Sequence, residues 1–329
     1  MHFGPVPVAE ALGTVLAHSL QLGGHRLRKG RVLEAGDIAA LQSAGLQDVI
    51  VARLGTDDLG EDLAAGQIAQ ALVPDANAAY LRLTDPGTGR VNIYATVPGV
   101  LDLNVPAIEA ANRVDPMITI ATLPPYARTH AHGMVATVKI IAYGVDRHAV
   151  TKSADLASDA MRIRPVVIRN AVLIQTDTGS GPGKGQDAIT ARLDALGIVL
   201  SKTVTVPHKT TPLADAIAQA QADLVLILTA SATSDPHDVA PSALRAAGGR
   251  VTRFGMPVDP GNLLFLGYTA NGVVIGLPGC ARSPALNGAD WVLERVACGL
   301  RVSDADIAAM GVGGLLKESP ARPHPREKR

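Results

Sequence analysis

Aromatic residues and cysteines are scarce in this sequence. Phe, Trp and Tyr make up 3% of its 329 residues, too few for an aromatic-rich β-sandwich core or for a surface that stacks single-stranded nucleic acid. The cysteines Cys280 and Cys298 cannot form a framework of several disulfides, which indicates a reducing compartment. Ala, Val, Leu and Ile carry the apolar content instead, and hydrophobic residues at 47% suffice for a large α/β core.

The sequence also lacks an excess of charge of either sign and a long apolar run. Lys+Arg and Asp+Glu number 30 each, so no overall field favours nucleic acid or an anionic membrane as a partner. No window reaches about 18 uninterrupted apolar residues, the length of a membrane-spanning helix. Met1 is not followed by the basic and apolar segments of a signal peptide. We therefore expect a cytoplasmic protein that binds neither nucleic acid nor membrane.

Strand and helix patterns alternate in the second half of the chain. Three apolar runs predict strands and two segments between them predict helices, at residues 171–176, 199–206 and 224–228 and at residues 186–196 and 211–222. This order is typical of a parallel, doubly wound sheet with helices on both faces. A further helix is predicted at residues 283–297. The sequence therefore predicts a mostly parallel, three-layer α/β domain.

Smaller α/β and α+β modules are predicted ahead of this domain. Their helix and strand patterns fall at residues 8–16, 33–45, 49–52 and 61–72, and then at residues 91–97, 105–113, 117–123 and 134–143. The chain end is rich in proline and charge, which is typical of a loosely ordered tail. We divide the chain into an N-terminal α/β module, an α+β middle domain, the doubly wound domain and a flexible tail, at residues 1–75, 76–165, 166–302 and 303–329.

Loops of small and polar residues follow three of the predicted strands. They begin after Thr176, after Leu228 and after Leu277. In an open α/β sheet, ligands bind outside the carboxyl ends of the strands. We therefore expect the three loops to meet at one rim of the sheet and to form a pocket for an anionic ligand.

The first loop, which follows Thr176, is rich in glycine. It does not fit a P-loop, because the pattern ending at Gly183-Lys184 requires glycine at Thr178 and Ser or Thr at Gly185. Backbone N–H groups at the start of the next helix are still able to hold an anion. Thr176, Gly181, Gly183 and Lys184 are therefore candidate ligand contacts, and the alternative is a plain flexible turn.

The second loop is built from small side chains that allow a ligand to approach the backbone. The hydroxyls of Ser231, Thr233 and Ser234 are able to donate to phosphate or carbonyl oxygens. Asp235 or Asp238 is a candidate ligand of Mg²⁺, which takes one or two carboxylates plus substrate phosphates. The alternative is that Ser234, Asp235 or Asp238 caps the following helix. The sequence leaves both interpretations open.

The third loop follows a strand and opens the helix predicted at 283–297. A guanidinium beside a helix N-terminus forms a good binding site for phosphate, which makes Arg282 a candidate contact. Pro278 and Gly279 lie in the same turn and are further candidates. A solvated arginine is the alternative. No partner His or Asn is identifiable for Cys280, so we expect a small buried thiol rather than a nucleophile.

The motifs of this domain resemble those of a known family. The shared phrases are, in order, Val206-Pro-His208, Asp223-Leu-Val-Leu-Ile-Leu228, Asp238 with Ala243-Leu244, and Leu277-Pro-Gly-Cys-Ala281. Residues 171–300 are similar to the molybdopterin-binding fold of molybdopterin adenylyltransferases and molybdotransferases, and residues 30–53 to the segment that leads into it. The resemblance implies molybdopterin, an anionic pterin, or its nucleotide form as the ligand. It also implies a role in molybdenum cofactor biosynthesis or delivery, which extends to molybdate insertion if the protein is a transferase.

Two departures from the family pattern bear on the chemistry. The loop at 229–234 lacks the glycines of the family phrase Gly-Gly-x-Ser/Thr-Gly, and a Cβ there changes how the backbone approaches a phosphate. His208 replaces the aspartate of the family phrase Val-Pro-Asp, which removes a carboxylate that would hold metal. Asp238 keeps its family position. Binding of a pterin or nucleotide survives these changes more easily than Mg²⁺-dependent transfer does.

The resemblance leaves three functions open. In a transferase, Asp238 and Asp177 would act in catalysis, and Asp238 with Asp235 would hold Mg²⁺. A carrier or sensor of the cofactor would keep the fold without that chemistry. A domain that binds another anionic small molecule is the third. We expect a homo-oligomer by analogy with this fold, and a cofactor nucleotidyltransferase or a molybdoenzyme is the candidate protein partner.

Overall fold

The computed structural model of the chain describes residues 1–181 and 183–316. Contacts divide it into two compact units, one of residues 1–97 and 101–163 and the other of residues 98–100 and 164 onward. No helix of these described residues is long and apolar enough to cross a membrane. The predicted division into four parts stays a prediction.

Residues 1–165 form short strands with helices between them. The strands are β1 (His2–Pro7), β2 (Val15–Leu16), β3 (Leu20–Leu22), β4 (His25–Leu27), β5 (Asp48–Arg53), β6 (Asp58–Gly60), β7 (Leu81–Leu83), β8 (Arg90–Ala95), β9 (Gly99–Leu103), β10 (Ile118–Thr122), β11 (Arg128–Thr129), β12 (Met134–Ile140), β13 (Gly144–Asp146) and β14 (Met161–Pro165), and the helices are α1 (Ala35–Ser43), α2 (Glu61–Leu72), α3 (Val105–Asn112) and α4 (Arg147–Leu156). Apart from the first helix, every element predicted in this part of the chain has a counterpart among them.

The helix predicted at residues 8–16 is wrong. A 3₁₀ turn spans Val8–Glu10, and β2 follows it. Gly13 takes a left-handed conformation with φ at 75°, and the Thr14 hydroxyl donates to the Ala11 carbonyl at 2.6 Å. Apolar spacing suggested a helix here, but the glycine and this local hydrogen bond turn the chain after one helical turn.

Two apolar cores lie within the first unit. One contains Leu41 of α1 and Val51 of β5. The other lies under the antiparallel sheet β10-β12-β8-β7 and contains Ile93 of that sheet together with Ile68 and Leu72 of α2. The predicted boundary after residue 75 therefore falls between a helix and the sheet against which its apolar face packs.

The second unit contains the doubly wound part of the chain. Its strands are β15 (Asn170–Asp177), β16 (Val199–Pro207), β17 (Leu224–Leu228), β18 (Arg250–Phe254), β19 (Phe265–Tyr268) and β20 (Val273–Gly276), and its helices are α5 (Gln186–Asp194), α6 (Thr210–Ala218), α7 (Val239–Ala246), α8 (Gly288–Ala297) and α9 (Asp304–Ala308). The strands form one sheet in the order β16-β15-β17-β20-β19-β18. The first four are parallel, and β19 runs antiparallel to both of its neighbours.

The central strands are buried on both faces, which explains their continuous apolar sequence. All five residues of β17 are buried. Val225 and Ile227 pack with Leu213 of α6 and Leu244 of α7, on one face of the sheet. The alternate residue Leu226 is also fully buried, on the opposite face. The predicted fold class, an α/β domain with a mostly parallel sheet, is confirmed.

The helix predicted at residues 283–297 begins later, at Gly288. The chain after β20 first forms a 3₁₀ turn over Gly279–Arg282. Asn287 then caps α8, and its backbone N–H donates to the Asp290 carboxylate at 2.8 Å. Because this capping pair starts the helix, the arginine of the preceding turn does not lie at a helix N-terminus.

Part of the predicted flexible tail is folded. Helix α9 lies within it, and Ile307 and Met310 are buried. The backbone N–H of Leu316 donates to the Asp259 carbonyl at 2.9 Å, which ties the segment back to the unit. The proline- and charge-rich end of the tail, residues 320–329, lies outside the described residues.

Arg192 of α5 holds the segment that follows β20. Its Nε donates to Asp290 of α8 at 2.6 Å, and the two side chains are only 10% and 11% exposed. Its other guanidinium N–H groups donate at 2.9–3.1 Å to the carbonyls of Ala188, Ala281, Ser283 and Ala285. One buried guanidinium thus fixes the chain between the 3₁₀ turn and α8.

Replacing Arg192 with Met should therefore destabilise the second unit strongly. The change leaves the buried Asp290 carboxylate without its counter-charge and removes the donor from four carbonyls, so we expect a loss of about 3–5 kcal/mol in the free energy of unfolding. Urea unfolding measures it. Arg250→Met is the matched control, because Arg250 is exposed and forms no ion pair with a described residue, and its expected effect is within about 0.5 kcal/mol. Equal losses in the free energy of unfolding for the two changes would contradict this role of Arg192.

Candidate functional site

The carboxyl ends of four parallel strands lie along one edge of the sheet. In the register of the pairs, Asp177 lies opposite Pro207, Gln175 opposite Leu228, and Ile227 of β17 opposite Gly276. The loops after β15, β17 and β20 therefore start at the same rim, as predicted. The loop after β16 shares this rim as well.

Thr176 ties three of these strand ends together. Its hydroxyl oxygen accepts from the Ala230 N–H at 2.8 Å and forms a second hydrogen bond, also 2.8 Å, with Nδ1 of His208. The His208 N–H in turn donates to the Asp177 carbonyl at 2.8 Å. Thr176 is 1% exposed, so the structure places this predicted ligand contact beneath the loops.

Arg282 connects the first loop to the second. Its Nη2 donates to the Thr229 carbonyl at 2.8 Å, and its Nη1 donates to the Lys184 carbonyl. A Cβ on Gly183 would lie 2.8 Å from Nη1, and a Cβ on Gly185 would lie 2.9 Å from the Arg282 Cγ. The glycines of the first loop thus make room for an arginine, and this part of the loop is shaped by a contact within the protein.

The second loop divides into buried and exposed hydroxyls. Thr229 and Thr233 are buried, with their hydroxyl oxygens 3.5 Å apart, whereas Ser231 and Ser234 are exposed. Of the hydroxyls predicted to meet a ligand, those of the two serines lie at the surface.

Asp238 caps α7, which is the alternative that the sequence left open. Its Oδ1 accepts from the Val239 N–H at 2.7 Å, and its Oδ2 accepts from the Ser234 N–H at 3.1 Å. The Asp235 carboxylate accepts from the His237 N–H at 2.7 Å. Both carboxylates predicted to hold Mg²⁺ are therefore bonded to backbone of their own loop.

The third carboxylate, Asp177, is bonded in the same way. Its Oδ1 accepts from the N–H groups of Gly179 at 2.9 Å and Ser180 at 3.1 Å. Among residues 1–181 and 183–316, no group of three or more His, Cys, Asp or Glu side chains is placed to hold a metal ion. The predicted Mg²⁺ ligands therefore do not form a prepared ligand set, and a cation at Asp238 would compete with backbone donors for both of its oxygens.

An open cleft of about 510 Å³ lies at the carboxyl ends of β15 and β16. Its lining residues are Asp177, Thr178, Gly179, Thr205, Val206, Pro207, His208 and Lys209. His208 and Lys209 are not among the residues predicted to bind a ligand. Because β16 was predicted as a parallel neighbour, its own carboxyl end was the signal that would have found them.

The remaining predicted contacts lie around this rim. Gly181 and Lys184 are exposed in the first loop. In the third loop Pro278 is buried, and Gly279 is exposed with open space where a Cβ would lie. The structure brings Gly183, Lys184 and Arg282 together, while Asp177 and Asp238 are held in separate loops.

Residues 173–296 match a family model described as a probable molybdopterin binding domain. This part of the chain belongs to the molybdopterin-binding family. The molybdopterin-binding domain so defined runs from β15 to α8 and includes all four loops of the rim. Residues 5–53 match a second model, described as a domain of unknown function, DUF8806. No curated protein matches the chain in sequence.

Solved structures similar to this chain include proteins of molybdopterin biosynthesis. One, from Mycobacterium abscessus, is 15% identical, with 40% of this chain and 94% of that chain covered and a TM-score of 0.29. The MoeA protein of Pyrococcus horikosii is 14% identical, with 91% and 75% covered and a TM-score of 0.31. At these TM-scores the likenesses carry no argument, and the assignment rests on the family model.

Thr176→Val should loosen the rim of the molybdopterin-binding domain. The change leaves the Ala230 N–H and the His208 Nδ1 without their partner, at an expected cost of about 1–3 kcal/mol in the free energy of unfolding. Amide hydrogen exchange at Ala230 should speed up in the native state. Thr176→Ser keeps the hydroxyl and should keep that amide protected. Protection at Ala230 that does not change in the valine variant would contradict this role.

Gly183→Ala should displace the Arg282 guanidinium from its carbonyl partners. We expect a loss of about 1 kcal/mol in the free energy of unfolding, the net worth of a hydrogen bond. In an Arg282→Ala background the same change should cost nothing, because the contact is gone, so a double-mutant cycle followed by urea unfolding should give a coupling of about 1 kcal/mol. Gly279→Ala is the control, since its Cβ would enter open space. If the effects of Gly183→Ala and Arg282→Ala on the free energy of unfolding add, the glycine and the arginine do not interact.

Proposed function

We propose that this protein binds molybdopterin, or its nucleotide form, at the carboxyl rim of the sheet in its molybdopterin-binding domain. The observation that carries the proposal is the open cleft of about 510 Å³ at the ends of β15 and β16. Pockets for small molecules have volumes of about 300–1,000 Å³. The cleft lies at the edge where open α/β sheets bind ligands, in the part of the chain that matches the family.

Three groups of residues in the loops of the same rim would contact the ligand. Gly181, Gly183 and Lys184 offer the backbone and a cationic side chain of the first loop. Ser231 offers an exposed hydroxyl from the second loop. Arg282 already spans these two loops through carbonyls, and a phosphate near it would compete for the same N–H groups.

Delivery of the cofactor, without group transfer, is the role that the carboxylates favour. Both oxygens of Asp238 accept backbone N–H groups, and those bonds hold the start of α7. A carrier needs neither metal nor a general base. Molybdate insertion with Mg²⁺ is the alternative, and it would require Asp238 and Asp235 to exchange backbone partners for the metal.

The expected homo-oligomer, and a cofactor nucleotidyltransferase or a molybdoenzyme as its partner, are part of this proposal. They are drawn from the resemblance alone. The cytoplasmic location stays a prediction from the sequence.

The experiment is mass spectrometry of the small molecules that the purified protein retains. We expect a phosphorylated pterin in the wild-type protein and at least about ten-fold less in Thr178→Trp, because the indole would fill the cleft and remove about 1.4 kcal/mol or more of binding free energy. Val199→Trp is the matched control: Val199 is 64% exposed at the other end of β16, so retention should not change.

Two outcomes bear on the choice of function. A pterin that is retained equally by both tryptophan variants would rule out this cleft, and a different retained anion would rule out the pterin. Incubation of the loaded protein with MgATP or molybdate separates the two roles. A carrier leaves the pterin unchanged, whereas a transferase modifies it.

A further inference from the structure

His208 presents a fixed imidazole to the cleft. Its Nδ1 is hydrogen-bonded to the Thr176 hydroxyl at 2.8 Å, and its backbone N–H is bonded to the Asp177 carbonyl at 2.8 Å. The ring lines the cleft, and Nε2 forms no hydrogen bond with any residue of the described part of the chain. An imidazole held on one side by a buried hydroxyl leaves its second nitrogen for a ligand.

Lys209 adds a cationic side chain beside this ring. It lines the same cleft and is exposed, and it forms no ion pair within residues 1–181 and 183–316. Its backbone N–H donates to the Pro207 carbonyl at 2.7 Å, which holds the turn after β16. His208 and Lys209 therefore follow one another on the turn after β16, and both line the cleft.

The residues that line the cleft include a single carboxylate, Asp177, and no group of three or more His, Cys, Asp or Glu side chains in the described part of the chain is placed to hold a metal ion. The Asp177 Oδ1 accepts two backbone N–H groups, which offset part of its charge. The other carboxylates of the rim, Asp235 and Asp238, belong to the loop after β17 and are bonded to backbone there. A divalent cation held by carboxylates is one way to neutralise a bound phosphate, whereas the residues that line this cleft include an imidazole and an ammonium group.

We infer that the cleft between the ends of β15 and β16 binds the phosphate group of the ligand through His208 Nε2 and the Lys209 ammonium, without a divalent cation. The assignment of that phosphate to a pterin rests on the proposed function. A phosphate monoester is the shared chemistry, since both a pterin phosphate and a nucleotide carry one.

The test is titration of the protein with inorganic phosphate, followed by ³¹P NMR, in EDTA and again in MgCl₂. We expect the dissociation constant of the wild-type protein to be the same in both. Lys209→Ala should weaken binding about ten-fold, the effect of losing one hydrogen bond to a charged group. Lys202→Ala is the control, because Lys202 is an exposed lysine of β16 that does not line this cleft.

Two substitutions of His208 distinguish the roles of its two ring nitrogens. His208→Asn keeps an amide within reach of Thr176 but lacks a group in place of Nε2, so it should fold as the wild type does and bind phosphate about ten-fold more weakly. His208→Asp places a carboxylate in the cleft. It should lose phosphate binding in EDTA and regain it with Mg²⁺. Thermal unfolding checks that both variants fold.

The inference is overturned by a wild-type protein that binds phosphate only with Mg²⁺, or by Lys209→Ala and His208→Asn proteins that bind it as the wild type does. Competition with AMP and with a pterin monophosphate then identifies the source of the phosphate. Displacement by neither compound would refute both ligands of the proposed function, the pterin and its nucleotide form, and leave the phosphate subsite in place. Displacement by the pterin monophosphate supports both.

Discussion

Parallel pairing of β15 with β16 and β17, and of β17 with β20, is the constraint on which the site depends. Parallel strands end at the same edge of a sheet, so chain segments far apart in sequence leave the sheet side by side. The burial of β17 on both faces stabilises that arrangement, because its continuous apolar sequence has no solvent-facing side. This pairing sets the position at which every loop considered for ligand binding leaves the sheet.

The rim is held by polar side chains that bond to backbone of neighbouring loops. Thr176 joins the ends of three strands, and Arg282 joins the first loop to the second. Arg192 fixes the segment from which Arg282 projects. The polar residues of this edge therefore serve two purposes, since those that are buried position the loops and those that remain exposed are available to a ligand. The exposed polar residues are fewer than the candidate ligand contacts that the residue types alone suggest.

Regular elements were predictable where local pattern and burial agree. The apolar runs of β15 and β17 and the amphipathic segment of α2 each matched the structure closely. Prediction failed where one residue outweighed the pattern. The left-handed Gly13 ended the first predicted helix, and the cap at Asn287 moved the start of α8. Such residues act through backbone geometry and hydrogen bonds, which apolar spacing does not record.

The sequence by itself determined the fold class, the family of the second half of the chain and the rim at which its loops meet. Apolar periodicity and the order of helices and strands along the chain are sufficient for these predictions, because both can be read from residues that are close in sequence. The tertiary structure decided which side chains of that rim are free. Arg282 bonds to a carbonyl that is 98 residues away in sequence, and Thr176 to an amide that is 54 residues away. Partners at such separations depend on how the loops stack, so the sequence pointed to the carboxyl end of β16 but the tertiary structure decided which side chains line the cleft there.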